Sequence, residues 1–131
     1  MATLGMLTVV VPDYDEAIAY FRDALGFELV EDTVMSPTKR WVVMAPGPDG
    51  ARILLAQAAN DEQRLAIGNQ TGGRVAFFLY TDNFERDHAR MTQEGVAFVE
   101  QPRDEDFGRV AVFADKYGNK WDFIERRSSW S

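Results

Sequence analysis

The chain has 131 residues, 46% hydrophobic and 27% charged, which is one domain's worth of sequence with enough apolar material for a real core. Its net charge of −7 argues against nucleic acid and anionic membrane as partners, because both select basic faces. There is no cysteine, so disulfides and thiolate metal sites are excluded, and no apolar run approaches the ~20 residues of a membrane helix. The opening Met-Ala-Thr-Leu-Gly-Met lacks a basic stretch followed by an apolar one, so it does not resemble a signal peptide. A cytoplasmic protein is expected.

Met6 to Val11 is an apolar, β-branched run closed by Pro12, the pattern of a buried strand. Asp13 can cap a helix, with Glu16 three residues on as in a capping box. Ala17, Ile18, Phe21 and Leu25 recur at helical spacing, and Gly26 stops the helix. Strands are then expected at Phe27 to Asp32, Arg40 to Ala45 and Arg52 to Ala58. A loop over 33–39 and the turn Pro46-Gly-Pro-Asp-Gly50 separate them. Residues 59–73 read as a linker. Arg74 to Tyr80 is a strand, Asp82 or Asn83 caps a helix to about Glu94, and Gly95 breaks it. Val96 to Glu100 is a strand, followed by a loop holding Pro102 to Gly108. Arg109 to Ala114 and Lys120 to Glu125 form a closing hairpin around Tyr117-Gly-Asn119.

The two halves are copies of one unit. Asp13 and Asp82, Glu16 and Glu85, Gly26 and Gly95, and Glu31 and Glu100 are all 69 residues apart, as are Arg40 and Arg109. Each copy reads βαβββ, which sets the fold class as α+β with tandem units over 4–58 and 74–126 in a single domain of 131 residues. Similar halves also make a seam where pockets form.

Two motifs carry a resemblance. Val11-Pro-Asp-Tyr-Asp-Glu-Ala-Ile-Ala-Tyr-Phe-Arg-Asp-Ala-Leu-Gly-Phe27 and Phe113-Ala-Asp-Lys-Tyr-Gly-Asn-Lys-Trp-Asp-Phe-Ile-Glu125 are similar to the opening and closing signatures of the vicinal oxygen chelate superfamily. That superfamily includes glyoxalase I, bleomycin-resistance proteins, extradiol dioxygenases and fosfomycin-resistance enzymes. The resemblance covers nearly the whole chain. It implies a half-open, eight-stranded, barrel-like sheet around a pocket, and commonly a homodimer. Enzymatic members hold one divalent metal with His, Gln or Glu at four inward strand positions. Here those positions map to Met6, to Leu54 (or its neighbour Ile53), to Val75 (or its neighbour Arg74) and to Asp122. Met, Leu and Val are not ligands for Mg, Mn, Fe or Zn, and one carboxylate does not hold a catalytic ion. The expectation is therefore no metal and no cofactor. The single histidine, His88, shares a helix face with Phe84 and Met91, so it reads as a packed or rim residue.

Strand parity then groups the residues of a binding face: Met6, Thr8 and Val10; Arg52, Leu54 and Ala56; Val75, Phe77 and Leu79; Lys120, Asp122 and Ile124. Phe77 could stack on a flat ligand and Arg52 could meet a ligand carboxylate. Asp122 should pair with an arginine or line a wet cavity, with Arg40 or Arg109 as candidate partners. Trp41 and Trp121 read as core aromatics; Trp130 would pack on a partner subunit or fray. The linker 59–73 and the loop 102–108 are candidate lids. The resemblance, taken with these residues, implies three candidate functions. The first is metal-independent binding of a small apolar or aromatic molecule. The second is a lyase, isomerase or dioxygenase of the same superfamily, with Asp122 as a general base or as part of a displaced metal site. The third is an interaction module with a filled interior.

Overall fold

The computed structural model describes residues 1–127; Trp130 lies outside the described residues. The chain divides into two units, Met1–Gln70 and the part from Thr71 onward.

In the first unit, strand β1 (Met6–Val11) lies parallel to β4 (Arg52–Gln57), and β3 (Arg40–Ala45) and β2 (Glu28–Val34) add antiparallel, in the order β1-β4-β3-β2. Val9, Val11, Ile53 and Leu55 are buried while Thr8 and Arg52 are exposed, as a strand with one covered face requires. Helix α1 (Tyr14–Ala19) is capped by Asp13, whose Oδ2 accepts from the Glu16 N–H at 2.9 Å. Its buried side chains, Tyr14, Ala17 and Ile18, provide the cover, and β3 and β4 are what it packs on. Strand β2 runs on through Thr33 and Val34, which pair with Trp41 and Arg40, so the loop expected over 33–39 is shorter by two residues. The linker also holds structure. Helix α2 (Asp61–Ala66) is capped by Asn60, whose Oδ1 accepts from the Gln63 N–H at 2.8 Å. After it, the Gln70 amide lies along edge strand β1: Oε1 accepts from Val10 N–H at 2.6 Å and Nε2 donates to Thr8 C=O at 3.0 Å. One side chain thus occupies the hydrogen-bonding groups that an edge strand leaves open.

In the second unit, β5 (Val75–Tyr80) lies parallel to β9 (Lys120–Arg126), followed by antiparallel β8 (Gly108–Ala114) and then β6 (Ala97–Phe98). A short β7 (Arg103–Glu105) also pairs with β8, within the stretch expected to be a loop. The expected strand from Val96 to Glu100 shrinks to two residues for a local reason. Val99 still donates to the Val112 carbonyl at 2.9 Å, but the Glu100 carboxylate, not a backbone carbonyl, accepts the Val112 N–H at 3.0 Å. Helix α3 (Phe84–Gln93) is capped by Asn83 rather than Asp82, through Arg86 N–H to Asn83 Oδ1 at 3.1 Å. Its Phe84 N–H donates to Glu125 on β9 at 2.8 Å, which ties the helix start to the sheet. Beneath it, Phe84, Phe98, Phe113 and Phe123 form an aromatic core. Phe113 also stacks on Trp121 with ring centroids 5.6 Å apart.

Two single-residue insertions hide inside the regular 69-residue spacing. The cap residues Asp13 and Asn83 are 70 apart, whereas Gly26 and Gly95 are 69 apart. The first copy therefore has one extra residue between cap and glycine. It is absorbed by a π-turn (Tyr20–Ala24), in which the Leu25 N–H reaches back five residues to the Tyr20 carbonyl. Accordingly, the Phe27 N–H bonds the Phe21 carbonyl, a span of six, while Val96 bonds Met91, a span of five. The compensating extra residue in the second copy is a bulge in β5. Val75 pairs with Lys120, but Phe77, not Ala76, pairs with Trp121.

Deleting Arg22, an exposed residue of the π-turn, would give the first helix the same cap-to-glycine spacing as the second. The variant is expected to melt cooperatively and lose no more than about 1–2 kcal/mol in chemical denaturation. Loss of the cooperative transition would refute this account of the turn.

Candidate functional site

Trp121 and Phe123 are buried on the α3 side of β9, so Lys120 and Asp122 project from the opposite face. On that face lies a groove of about 570 Å³, lined by Arg74, Val75, Phe78, Val99, Glu100, Val112, Lys120 and Asp122, with Gly73 at one end. The ladder explains the set. Val75 pairs with Lys120, Phe78 with Asp122, and Val112 with Asp122 from the other side.

The β5 bulge corrects the sequence reading here. Simple alternation puts Val75 and Phe77 on one face. The extra residue at Ala76 turns Phe77 toward Trp121, with rings 4.6 Å apart, and Phe78 takes its place beside Asp122. Phe78 is 58% exposed, a large value for phenylalanine and one that makes it an available wall.

Asp122 is half-buried, and no hydrogen bond or ion pair reaches it among the described residues. Burial pushes its carboxyl above the usual range; the Arg103 charge pulls it down and the Glu100 charge pushes it up. Neither expected arginine partner is there. Arg40 forks onto Asp32 at 2.7 and 3.1 Å, bonds Asp15 at 2.9 Å, and lies over the Tyr14 ring. Arg109 does the corresponding work in the second unit, pairing with Glu85 and Asp104 over the Phe84 ring. Each arginine pins the first helical turn of its unit to a strand, which is why neither is free for Asp122. Glu100 is engaged too, with Arg103 Nε at 3.2 Å and the Val112 N–H.

The remaining predicted residues belong to the first unit. Met6 pairs with Arg52 and Thr8 with Leu54, so these four share one face of that sheet. His88 is packed between Phe84 and Phe98, its ring centroid 5.2 and 4.1 Å from theirs, with Nε2 buried and unpartnered. It borders a second groove of about 590 Å³ beside Val96, Phe98 and Pro102. Trp121 is a core aromatic as expected, and Trp41 is half-buried.

The model of the Glyoxalase/Bleomycin resistance protein/Dioxygenase superfamily matches residues 3–123, nearly the whole chain and both units. The chain belongs to this superfamily. An uncharacterized protein of Shewanella frigidimarina (strain NCIMB 400) is 50% identical over 121 residues, covering 91% of this chain and 90% of its own length. Among solved structures, UcmS2 is similar with a TM-score of 0.81 and 28% identity, over 95% of this chain and 98% of that one. TnmS3 from Streptomyces sp. CB03234, described as an antibiotic binding protein, has a TM-score of 0.77 at 24% identity, over 97% and 98% of the two chains. That last likeness is one of fold.

The superfamily's metal-bearing members raise the question of an ion. The four positions assigned by resemblance offer a thioether, two aliphatic side chains and one carboxylate, a donor set that does not fit a hard divalent cation. Among the described residues no three His, Asp or Glu side chains gather as a metal site would need.

The bulge can be tested by exchanging the roles of two neighbours. Phe77→Ala removes a ring packed on Trp121 and should cost roughly 2–4 kcal/mol of stability. Phe78→Ala truncates an exposed ring and should cost less than about 0.5 kcal/mol. Urea denaturation giving the reverse order would show that the bulge is misplaced.

Proposed function

We propose that this superfamily member is a metal-independent binder of a small apolar or aromatic organic molecule, held in the groove beside Asp122. The observation that carries this reading is the groove itself: Val75, Phe78, Val99 and Val112 form an apolar wall around a few polar groups. An open groove at this place also tells against an interior filled by side chains. The donor set at the resemblance-assigned positions supports binding without an ion. Protein purified without chelator is expected to carry no stoichiometric divalent metal. It should bind flat aromatic probes in calorimetry with the same affinity in EDTA. One bound ion per chain, or binding abolished by EDTA, would reject the proposal.

A second reading, catalysis by Asp122 as a general base, draws on its raised carboxyl and on oxygens that no partner among the described residues claims. Turnover of any substrate that Asp122→Asn abolishes, with binding retained, would establish it in place of the first.

The proposal includes a homodimer. Leu4, Met6 and Leu7 on and before β1 are exposed apolar side chains that a second copy would cover. Sedimentation equilibrium should give twice the mass of one chain; a monomer at high concentration would reject this part.

A further inference from the structure

Building on the proposed small-molecule reading, we propose that the occupant of the groove carries a protonated amine beside a flat apolar body, and that Asp122 is the counter-ion of that amine. The charges of Arg103 and Glu100 act on Asp122, but among the described residues none pairs with it. Glu100 shares Arg103 with Glu105 and accepts the Val112 N–H. Arg74 and Lys120 are exposed to water at the Val75 end of the ladder, and neither lies within ion-pairing distance of Asp122. Among the described residues of the groove, Asp122 is the half-buried charged group with both oxygens unclaimed. Leaving a partly desolvated carboxylate without a partner is costly, so the fold holds in reserve a strong attraction for a donor that arrives with the ligand.

The chemistry of that donor follows from its neighbours. An ammonium group at Asp122 would form a charge-assisted hydrogen bond, and a ring attached to it would lie against Phe78, the ladder partner of Asp122. A ligand carboxylate at the same point would be repelled by Asp122, and the cations of the groove, Arg74 and Lys120, stand in water at its Val75 end. A neutral isostere would leave Asp122 poorly paired. The groove therefore discriminates both by attraction and by repulsion. The chain's net charge of −7 favours approach of a cation.

Three probes share an indole body and differ only in the terminal group: tryptamine, tryptophol and indole propionate. Calorimetric titration at neutral pH should rank tryptamine tightest, by about tenfold or more over tryptophol, with indole propionate weakest. Asp122→Asn should bring tryptamine down to the level of tryptophol while leaving tryptophol unchanged. Phe78→Ala should weaken all three alike. The advantage of tryptamine should shrink in high salt and vanish as pH falls through the titration of Asp122, because the protonated carboxyl no longer pairs with an ammonium. As a control on folding, Asp122→Asn should melt no lower than the parent at neutral pH. Burial raises the Asp122 carboxyl, so ionising it opposes folding, and the variant removes that opposition. Equal binding of the three probes, tightest binding of indole propionate, or tryptamine affinity unchanged in Asp122→Asn would overturn the amine proposal and leave the aromatic groove standing. Binding of none of the three would overturn both.

Discussion

The buried carboxylate of Asp115 determines where everything on β9 points. Its Oδ1 accepts the backbone N–H groups of Tyr117, Gly118 and Asn119 at 3.0 Å, which closes the turn before β9. Its Oδ2 accepts Trp121 Nε1 at 3.0 Å and Asn119 Nδ2 at 3.2 Å. A carboxylate only 5% exposed is tolerable because donors surround it. With the turn closed and the Trp121 indole tethered toward the aromatic core, β9 has one possible phase. A slip of one residue would carry Asp122 into the core and Trp121 into solvent. The groove therefore depends on a hydrogen-bond cluster that takes no part in lining it.

The two acids make an instructive pair. Asp115 and Asp122 are seven residues apart, and both leave bulk water at least in part. Asp115 is saturated by its own chain, so it is structural. Asp122 has no partner among the described residues, so it is available. Residue type is the same; what separates the saturated acid from the available one is the count of donors within reach, a property of the folded geometry.

Arg40 and Arg109 show the repeat used as architecture. Each joins an aromatic residue at the first helical position, Tyr14 or Phe84, to acids on the helix and on a neighbouring strand. The same device appears in both units although the surrounding identities differ. The copies differ where each took an extra residue: the first in the π-turn of its helix, the second in the β5 bulge. These cancel in the overall spacing, which is why a count of 69 looked unbroken. Locally they do not cancel. The bulge changes which phenylalanine stands beside Asp122.

Much of the fold was legible because its signals are local. The apolar strand at Met6 to Val11, the cap at Asp13, the stops at Gly26 and Gly95, and the closing hairpin depend on nearby residues alone. Helix α2 has a local signal too, the Asn60 to Gln63 capping pattern, but it is a short helix set in a polar linker with no apolar periodicity to mark it. Asn83, 70 residues after Asp13, was a trace of the inserted residue that the other matches concealed. The sequence by itself determined the paired βαβββ units, the superfamily and the residue types, Met6, Leu54 and Val75, at the positions where the resemblance expects metal ligands. Only tertiary structure decided that Phe78 rather than Phe77 lines the groove, that Arg40 and Arg109 are committed elsewhere, and that Asp122 has no partner among the described residues. A bulge and a vacant hydrogen-bonding group are both outcomes of register between distant strands, and register is settled by packing across the sheet.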